Sequence, residues 1–199
     1  MHRLLPRLGD GGLSAWMKKR LFQFQEPAAQ GMMDYLLPMV KEFEQFYPDW
    51  YTCPAGVRTI GYGHTGRSSD LLPAPWTEEY ASKILTGELE LHYIPATIEA
   101  VTARGINWDR LKPHQQAALV SFAYNLGPGV IARATFIGKI AAGAPDHDIE
   151  HSWRLWNMGG GKILPGLVRR RFSEAKLYLT GRLDYQPQGW RDYYEARKP

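Results

Sequence analysis

A glutamate near the start of the chain has the surroundings of an acid catalyst. Glu44 ends a predicted helix and is flanked by Phe43, Phe46 and Tyr47. A carboxyl group in apolar surroundings loses hydration, which disfavours its charged form and raises its pKa towards neutrality. Glu42 falls on the opposite face of the same helix, where the carboxyl group is hydrated. The pattern therefore makes Glu44 a candidate general acid that protonates a leaving group, while a Glu beside an apolar stripe is, taken alone, more often a residue at the edge of the core.

The residues that follow Glu44 form a recurring pattern. Eight residues separate Glu44 from Cys53, and five more separate Cys53 from Thr59. Three longer segments complete the pattern: Thr-Ile-Gly-Tyr-Gly-His-Thr at 59–65, Gln-x-Ala-Leu-Val-Ser-Phe-Ala-Tyr-Asn-Leu-Gly at 116–127, and Gly-Gly-Lys followed by Gly-Leu-Val-Arg-Arg-Arg at 160–171. In this order, from about residue 36 to 181, they resemble the phage-type lysozymes, or endolysins, of glycoside hydrolase family twenty-four.

The resemblance implies a muramidase that hydrolyses the β-1,4 bond between N-acetylmuramic acid and N-acetylglucosamine in bacterial peptidoglycan and lyses the cell wall. It makes Glu44 the acid, while Cys53 and Thr59 hold or activate the attacking water. Relatives with Asp in the Cys53 position invert the anomeric centre, which requires ~6.5–9.5 Å between the catalytic groups. A thiol with a pKa near ~8.5 needs a neighbouring cation to act as a base, and Arg58 is the nearest in sequence. Otherwise Cys53 positions water, or only packs as a small buried residue.

Five further residues take their expected roles from the same resemblance. Thr65 and Tyr124 match positions that line the sugar cleft, although core packing explains Tyr124 equally well. His64 is expected to support the site structurally rather than to act in catalysis. Arg170 and Arg171 match a pair of arginines that either form internal salt bridges or contact the acidic stem peptide of the wall. No metal and no cofactor are expected.

The elements that position these residues are mostly helical. A helix is predicted to begin near Pro38, a short antiparallel hairpin to lie between Tyr51 and His64, and a helical run to begin at Thr77 and break or kink at Pro95. The later helices are predicted at 115–126, 134–142, 146–156 and 167–179. The first of these is apolar on nearly all sides, which is typical of a buried central helix. The expected fold class is α+β, mostly α, with two lysozyme-like lobes and a cleft beside the hairpin.

Composition shifts divide the chain into three parts. Residues 1–32 are predicted to be an N-terminal extension, with a short basic helix or a solvated arm at 13–24 and a linker at 26–31. Residues 33–181 are predicted to form the lysozyme-like catalytic domain. The C-terminal tail, 182–199, is rich in Trp and Tyr, which favours docking against the domain over a separate wall-binding module.

The bulk composition narrows the possible partners and compartments. The net charge of +4 over 199 residues suits an anionic polymer, but the sequence lacks the basic stripe interleaved with aromatics that nucleic-acid binding needs. One cysteine permits no internal disulfide, and no run approaches the ~20 apolar residues of a membrane span. A monomer is expected, made in the host cytoplasm without a signal peptide and acting on the wall after release.

Two other functions stay open at the level of sequence. A non-catalytic descendant could keep the lysozyme fold to bind peptidoglycan or a protein. A lytic transglycosylase also needs a single acidic residue, but it forms an anhydro product without water. Replacing Glu44 by Gln separates an enzyme from a binder, and the mass of the products separates hydrolysis from transglycosylation.

Overall fold

The computed structural model describes residues 27–53, 56–65 and 73–198, and helices dominate them. The helices are α1 Pro27–Glu44, α2 Glu78–Glu88, α3 Ile94–Thr102, α4 Pro113–Leu126, α5 Pro128–Ile131, α6 Thr135–Ala141, α7 Asp146–Arg154, α8 Pro165–Thr180 and α9 Trp190–Glu195. A π-helical turn, Leu89–Tyr93, joins α2 to α3, and a 3-10 turn, Trp108–Arg110, precedes α4. None of the helices in these described ranges has the length and apolar character needed to cross a membrane.

Two small antiparallel sheets complete the architecture and confirm the predicted α+β class. The first contains β1 Tyr47–Thr52, β2 Arg58–Gly61 and β3 His64–Thr65 in that order, and the second pairs β4 Met158–Gly159 with β5 Lys162–Ile163. The predicted hairpin corresponds to β2 and β3. Strand β1 and the second sheet were not predicted from the sequence.

Helix α4 is the buried centre of the molecule, as its apolar sequence predicts. Every residue from Gln116 to Ala123 is buried, and the helix packs against α1 and α8. Pro113 occupies its first turn, where the missing N–H costs no hydrogen bond. Gly127, at φ 92°, ends the helix in a backbone conformation that disfavours other residues. The central helix thereby joins the helix that carries Glu44 to the helix that carries the three arginines.

The prediction that the first helix begins near Pro38 is wrong, because α1 already begins at Pro27. Pro38 lies inside it and removes one backbone hydrogen bond. The helix continues on both sides because its inner face is fully buried, at Met32, Leu36, Met39 and Val40. The linker predicted at 26–31 is therefore helical from Pro27 onwards. The rest of the predicted extension, including the basic helix at 13–24, lies outside the described residues.

The helical run from α2 to α3 follows the predicted signals. The Thr77 side chain caps α2 by accepting a hydrogen bond from the Tyr80 backbone amide at 3.2 Å. Pro95 has no N–H and lies in the first turn of α3. The π-helical turn directly before it widens the helix, so that the Ile94 amide bonds to the Leu89 carbonyl. The helical run therefore continues past Pro95, where the sequence predicts a break or a kink.

The C-terminal tail contacts both α8 and the end of α1. Its Tyr193 ring packs against Phe172 with ring centroids 5.3 Å apart. Asp184 forms a 2.6 Å salt bridge with Lys176, and Tyr185 meets Phe43 edge-on at 6.4 Å. The tail thus lies against the helix end at which Glu44 stands.

Candidate active site

Glu44 is the last residue of α1 and stands where three elements meet. Its carboxylate atom Oε1 accepts a hydrogen bond from Arg170 Nη1 of α8 at 2.5 Å. Its other oxygen, Oε2, faces the turn between β2 and β3, where a Cβ atom on Gly63 would lie 3.6 Å away. The side chain keeps 22% of its surface exposed. One oxygen is therefore held by a buried cation while the other points towards the hairpin.

A contact from α4 holds the turn at Gly63 close to the carboxyl group of Glu44. Tyr124 on α4 donates its hydroxyl hydrogen to the Tyr62 carbonyl at 2.8 Å, and the Tyr93 ring lies 4.6 Å from the Tyr124 ring. Burial, with the negative charges of Glu88 and Glu44, raises the pKa of Tyr124 well above its usual value. Its hydroxyl therefore stays a donor, and Tyr124 packs as a support for the hairpin beside Glu44.

Arg170 and Arg171 form internal salt bridges, the first of the two alternatives that the sequence left open. Both meet Glu174, which is fully buried, through contacts of 3.1 Å. Arg170 also donates to the Ser121 carbonyl at 3.1 Å, and Arg171 donates to Asn125 Oδ1 at 2.9 Å. These contacts join α4, α8 and Glu44 into one buried polar network.

Burial acts on the two arginines in opposite ways because their partners differ. Burial disfavours the charge of Arg170, but Glu44 and Glu174 outweigh it and raise the pKa of Arg170. Burial lowers the pKa of Arg171 to about 10, since Glu174 only partly compensates and Arg170 adds repulsion. Arg171 has no exposed surface, so it cannot contact a wall peptide.

The surroundings of Glu44 are less apolar than its sequence neighbours predict, because arginines of α8 lie close to it. Phe43 does lie beside it, but the guanidinium groups of Arg169 and Arg170 lie 4.7 Å and 5.5 Å from the Phe43 ring. Arg169 also bonds to Glu42 at 2.9 Å. Positive charge from α8 therefore surrounds the last turn of α1, which a reading of α1 alone could not reveal.

Cys53 and Thr59 lie on the sheet that faces this helix end. Cys53 follows β1 directly, and its amide donates to the Val57 carbonyl at 2.9 Å. Thr59 is 4% exposed, and its hydroxyl donates to the same carbonyl at 3.0 Å. Both residues are thus fixed around one backbone carbonyl. The cation suggested for Cys53, Arg58, lies over the Trp50 ring at 4.5 Å.

His64 and Thr65 form β3, at the other edge of the sheet. The Nδ1 atom of His64 lies 2.6 Å from Glu88 Oε1 on α2, and its ring lies 5.7 Å from that of Trp76. His64 therefore ties the hairpin to α2, and Thr65 lies exposed beside it. Glu88 and Trp76 were not predicted from the sequence, because neither shares a local pattern with the hairpin they hold.

The described parts of the chain contain no group of three or more His, Cys, Asp or Glu residues placed to hold a metal ion. The chemistry available at this site is that of a carboxyl group, a thiol and hydroxyl groups around a hairpin.

Comparison with known proteins identifies the family and agrees with the fold. The model of the phage lysozyme family matches residues 41–174, and the chain belongs to this family. The matched range includes both Glu44 and Glu174. The endolysin of Bacillus phage B103 is 36% identical over 124 residues, covering 62% of this chain and 43% of its own length. The SAR-endolysin of Bacteriophage PS119 is 32% identical over 136 residues, covering 66% of this chain and 74% of its own length. The chain thus spans less than half of the Bacillus phage endolysins that it matches.

Solved structures share the fold. The muramidase domain of SpmX from Asticaccaulis excentricus matches with a TM-score of 0.58 and 30% identity, over 72% of this chain and 94% of its own. The endolysin from Escherichia coli O157:H7 phage FAHEc1 matches with a TM-score of 0.63 and 28% identity, over 80% of this chain and 97% of its own. These matches confirm the lysozyme-like fold predicted from the sequence.

Proposed function

We propose that this protein is an endolysin-type muramidase that hydrolyses the β-1,4 bond between N-acetylmuramic acid and N-acetylglucosamine in bacterial peptidoglycan. The observation that carries the proposal is the position of Glu44, partly exposed at a helix end and turned by Arg170 so that Oε2 faces the hairpin. Family membership and relatives named endolysin and muramidase domain support the same activity.

In this proposal Glu44 acts as the general acid through Oε2, the oxygen that Arg170 does not hold. Its proton passes to the glycosidic oxygen as the bond from that oxygen to the anomeric carbon breaks. The sugar left behind carries positive charge at its anomeric carbon, and water attacks this carbon from the opposite face. Cys53 and Thr59 position this water, whose oxygen bonds to the anomeric carbon while its proton leaves to solvent. The anomeric centre inverts.

Digestion of purified cell walls tests the bond and the chemistry together. Mass spectrometry of the products should find reducing N-acetylmuramic acid ends that carry one added water. Reducing N-acetylglucosamine ends alone would show that the other glycosidic bond is cut. Anhydromuramyl ends alone would reject hydrolysis in favour of a lytic transglycosylase.

Inversion has its own readout in the same digest. Proton NMR, recorded within the first minutes, should show the α-anomer of the new reducing end before mutarotation mixes the forms. An initial β-anomer would instead require two successive displacements at the anomeric carbon, the first by an enzyme carboxylate or by the acetamido group of the sugar, and the direct attack of water positioned by Cys53 and Thr59 would be wrong.

A further inference from the structure

Two tyrosines on β1 form a paired aromatic surface. Tyr47 and Tyr51 have ring centroids 4.5 Å apart with ring planes at 39°. Strand β1 is an edge strand of its sheet, and Tyr47 keeps 40% of its surface exposed. The other Phe, Trp and Tyr residues of the described ranges are buried or half-buried, whereas Tyr47 is exposed. One side of its ring packs on Tyr51, and much of the rest remains open to solvent.

The register of the sheet places Tyr51 in line with the candidate site. Tyr51 lies opposite Thr59, and Thr59 lies opposite Thr65. Residues directly opposite each other in antiparallel strands place their side chains on the same face of a sheet. Tyr51, Thr59 and Thr65 therefore form a row across one face.

The inner end of the pair lies close to the groups that carry the proposed chemistry. Burial raises the pKa of Tyr51, and the charges of Tyr47, Cys53 and Glu44 raise it further. Tyr51 is two residues from Cys53 in the chain and lies opposite Thr59 in the sheet, so this end of the pair lies beside two residues of the proposed mechanism. The aromatic pair extends from this point outwards along the edge strand to the exposed ring of Tyr47.

We propose that Tyr47 and Tyr51 form a carbohydrate-stacking site, which binds a pyranose ring of the glycan strand on the β1 side of Glu44. The inference rests on the proposed function and specifies where that substrate is held. A pyranose presents a face of C–H groups, which an aromatic ring can cover while the sugar hydroxyls stay hydrated. Tyrosine supplies this apolar area with little side-chain entropy to lose.

Binding without turnover tests the site. In Glu44→Gln protein, calorimetry should detect a tetrasaccharide of alternating N-acetylglucosamine and N-acetylmuramic acid. Adding Tyr47→Ala should weaken this binding about tenfold, the effect of about 1.4 kcal/mol of lost stacking. Adding Tyr47→Phe should leave it within about twofold, because the ring is kept. Equal binding with and without Tyr47→Ala would overturn the proposal, as would a complete lack of binding by the Glu44→Gln protein.

Two controls separate stacking from other effects. Tyr194→Ala removes a partly buried tyrosine from α9, away from the sheet, and should bind as well as its parent. Thermal unfolding should show that Tyr47→Ala remains folded at the assay temperature. If Tyr47→Phe loses as much affinity as Tyr47→Ala, the hydroxyl rather than the ring is responsible, and the stacking site is wrong.

In protein with Glu44 intact, Tyr47→Ala should raise KM on soluble glycan fragments and leave kcat within about twofold, the signature of lost ground-state binding. A drop in kcat at unchanged KM would contradict a binding role. Failure of the proposed function is distinguishable, because it would appear as no product from the unaltered protein, whereas oligosaccharide binding is measured without turnover.

Discussion

Arg170 Nη1 lies 2.5 Å from Glu44 Oε1, although 126 positions separate the two residues in the chain. The arginine is 3% exposed and the glutamate 22%, so the pair reaches from the buried network to the partly exposed end of α1. The orientation of the candidate acid is therefore fixed by the last long helix of the domain and not by α1 alone.

Arg170→Ala should destabilise the protein strongly. It removes the cation shared by Glu44 and the fully buried Glu174, and breaking a buried ion pair from one side typically costs about 3–5 kcal/mol. Urea unfolding measures the loss. Arg133→Ala, at an exposed position, is the matched control and should stay within about 0.5 kcal/mol of the unaltered protein. A loss below about 1 kcal/mol for Arg170→Ala would show that the network does not support the fold.

Gln45 should be a site where glycine stabilises the protein. Its φ of 60° is left-handed, and its amide closes α1 by bonding to the Lys41 carbonyl at 3.1 Å. This conformation costs residues with a Cβ atom about 1–2 kcal/mol. Gln45→Gly should therefore raise Tm, and Gln45→Val should lower it because a β-branched side chain fits this region worst. The opposite order of the two Tm values would contradict the assigned backbone conformation.

The protein should lose stability in alkaline solution between about pH 10 and pH 12. Burial is the first cause that raises the pKa of Tyr62, Tyr93 and Tyr178 to about 12. For Tyr62, a 2.6 Å hydrogen bond to Glu78 adds to it. Because these phenols keep their protons longer when folded, their stabilisation is complete below pH 10 and is lost as the pH rises through 12.

Urea unfolding at stepped pH, with tyrosinate absorbance recorded in parallel, checks this alkaline loss. Tyr62→Phe removes one of the three groups and should make the decline less steep. A free energy of unfolding that stays constant across this pH range would contradict the assigned shifts.

If the proposed mechanism holds, Cys53 should affect turnover by positioning the attacking water. Cys53→Asp should retain or raise activity, because an ionised carboxylate both orders water and accepts its proton. Cys53→Ala should lower activity, since neither function remains. Initial rates on purified walls compare the three proteins. Equal rates in all three would remove Cys53 from the mechanism.

The parts of the fold that the sequence predicts are those with strong local signals. Helix α4 is apolar on nearly all sides, and α2 has Thr77 as its cap, so the predicted bounds of both helices lie close to the observed ones. The hairpin follows from its closely spaced glycines. Strand β1 was missed because it is mostly exposed and shows no regular alternation of buried and exposed residues. The start of α1 was misplaced because Pro38 is a first-turn signal that tertiary packing overrides.

The sequence nominates residues for the candidate site but does not reveal the partners that hold them. Glu44, Cys53 and Thr59 lie in one short stretch whose spacing carries information. The contacts that orient them come from elsewhere: Arg170 for the carboxyl group and Glu88 for the hairpin, through His64. Such pairs depend on how distant helices pack, and a single sequence contains no periodicity that reports it.

The most direct test of the central claim is the clearing of turbid, purified cell walls by the unaltered protein and by Glu44→Gln side by side. Glutamine keeps the size of the side chain and can still accept a hydrogen bond from Arg170, but it has no acidic proton to give. The unaltered protein should clear the suspension, and Glu44→Gln should be slower by at least about a hundredfold while sedimenting with the walls as before. Clearing at equal rates would contradict the assignment of Glu44 as the acid.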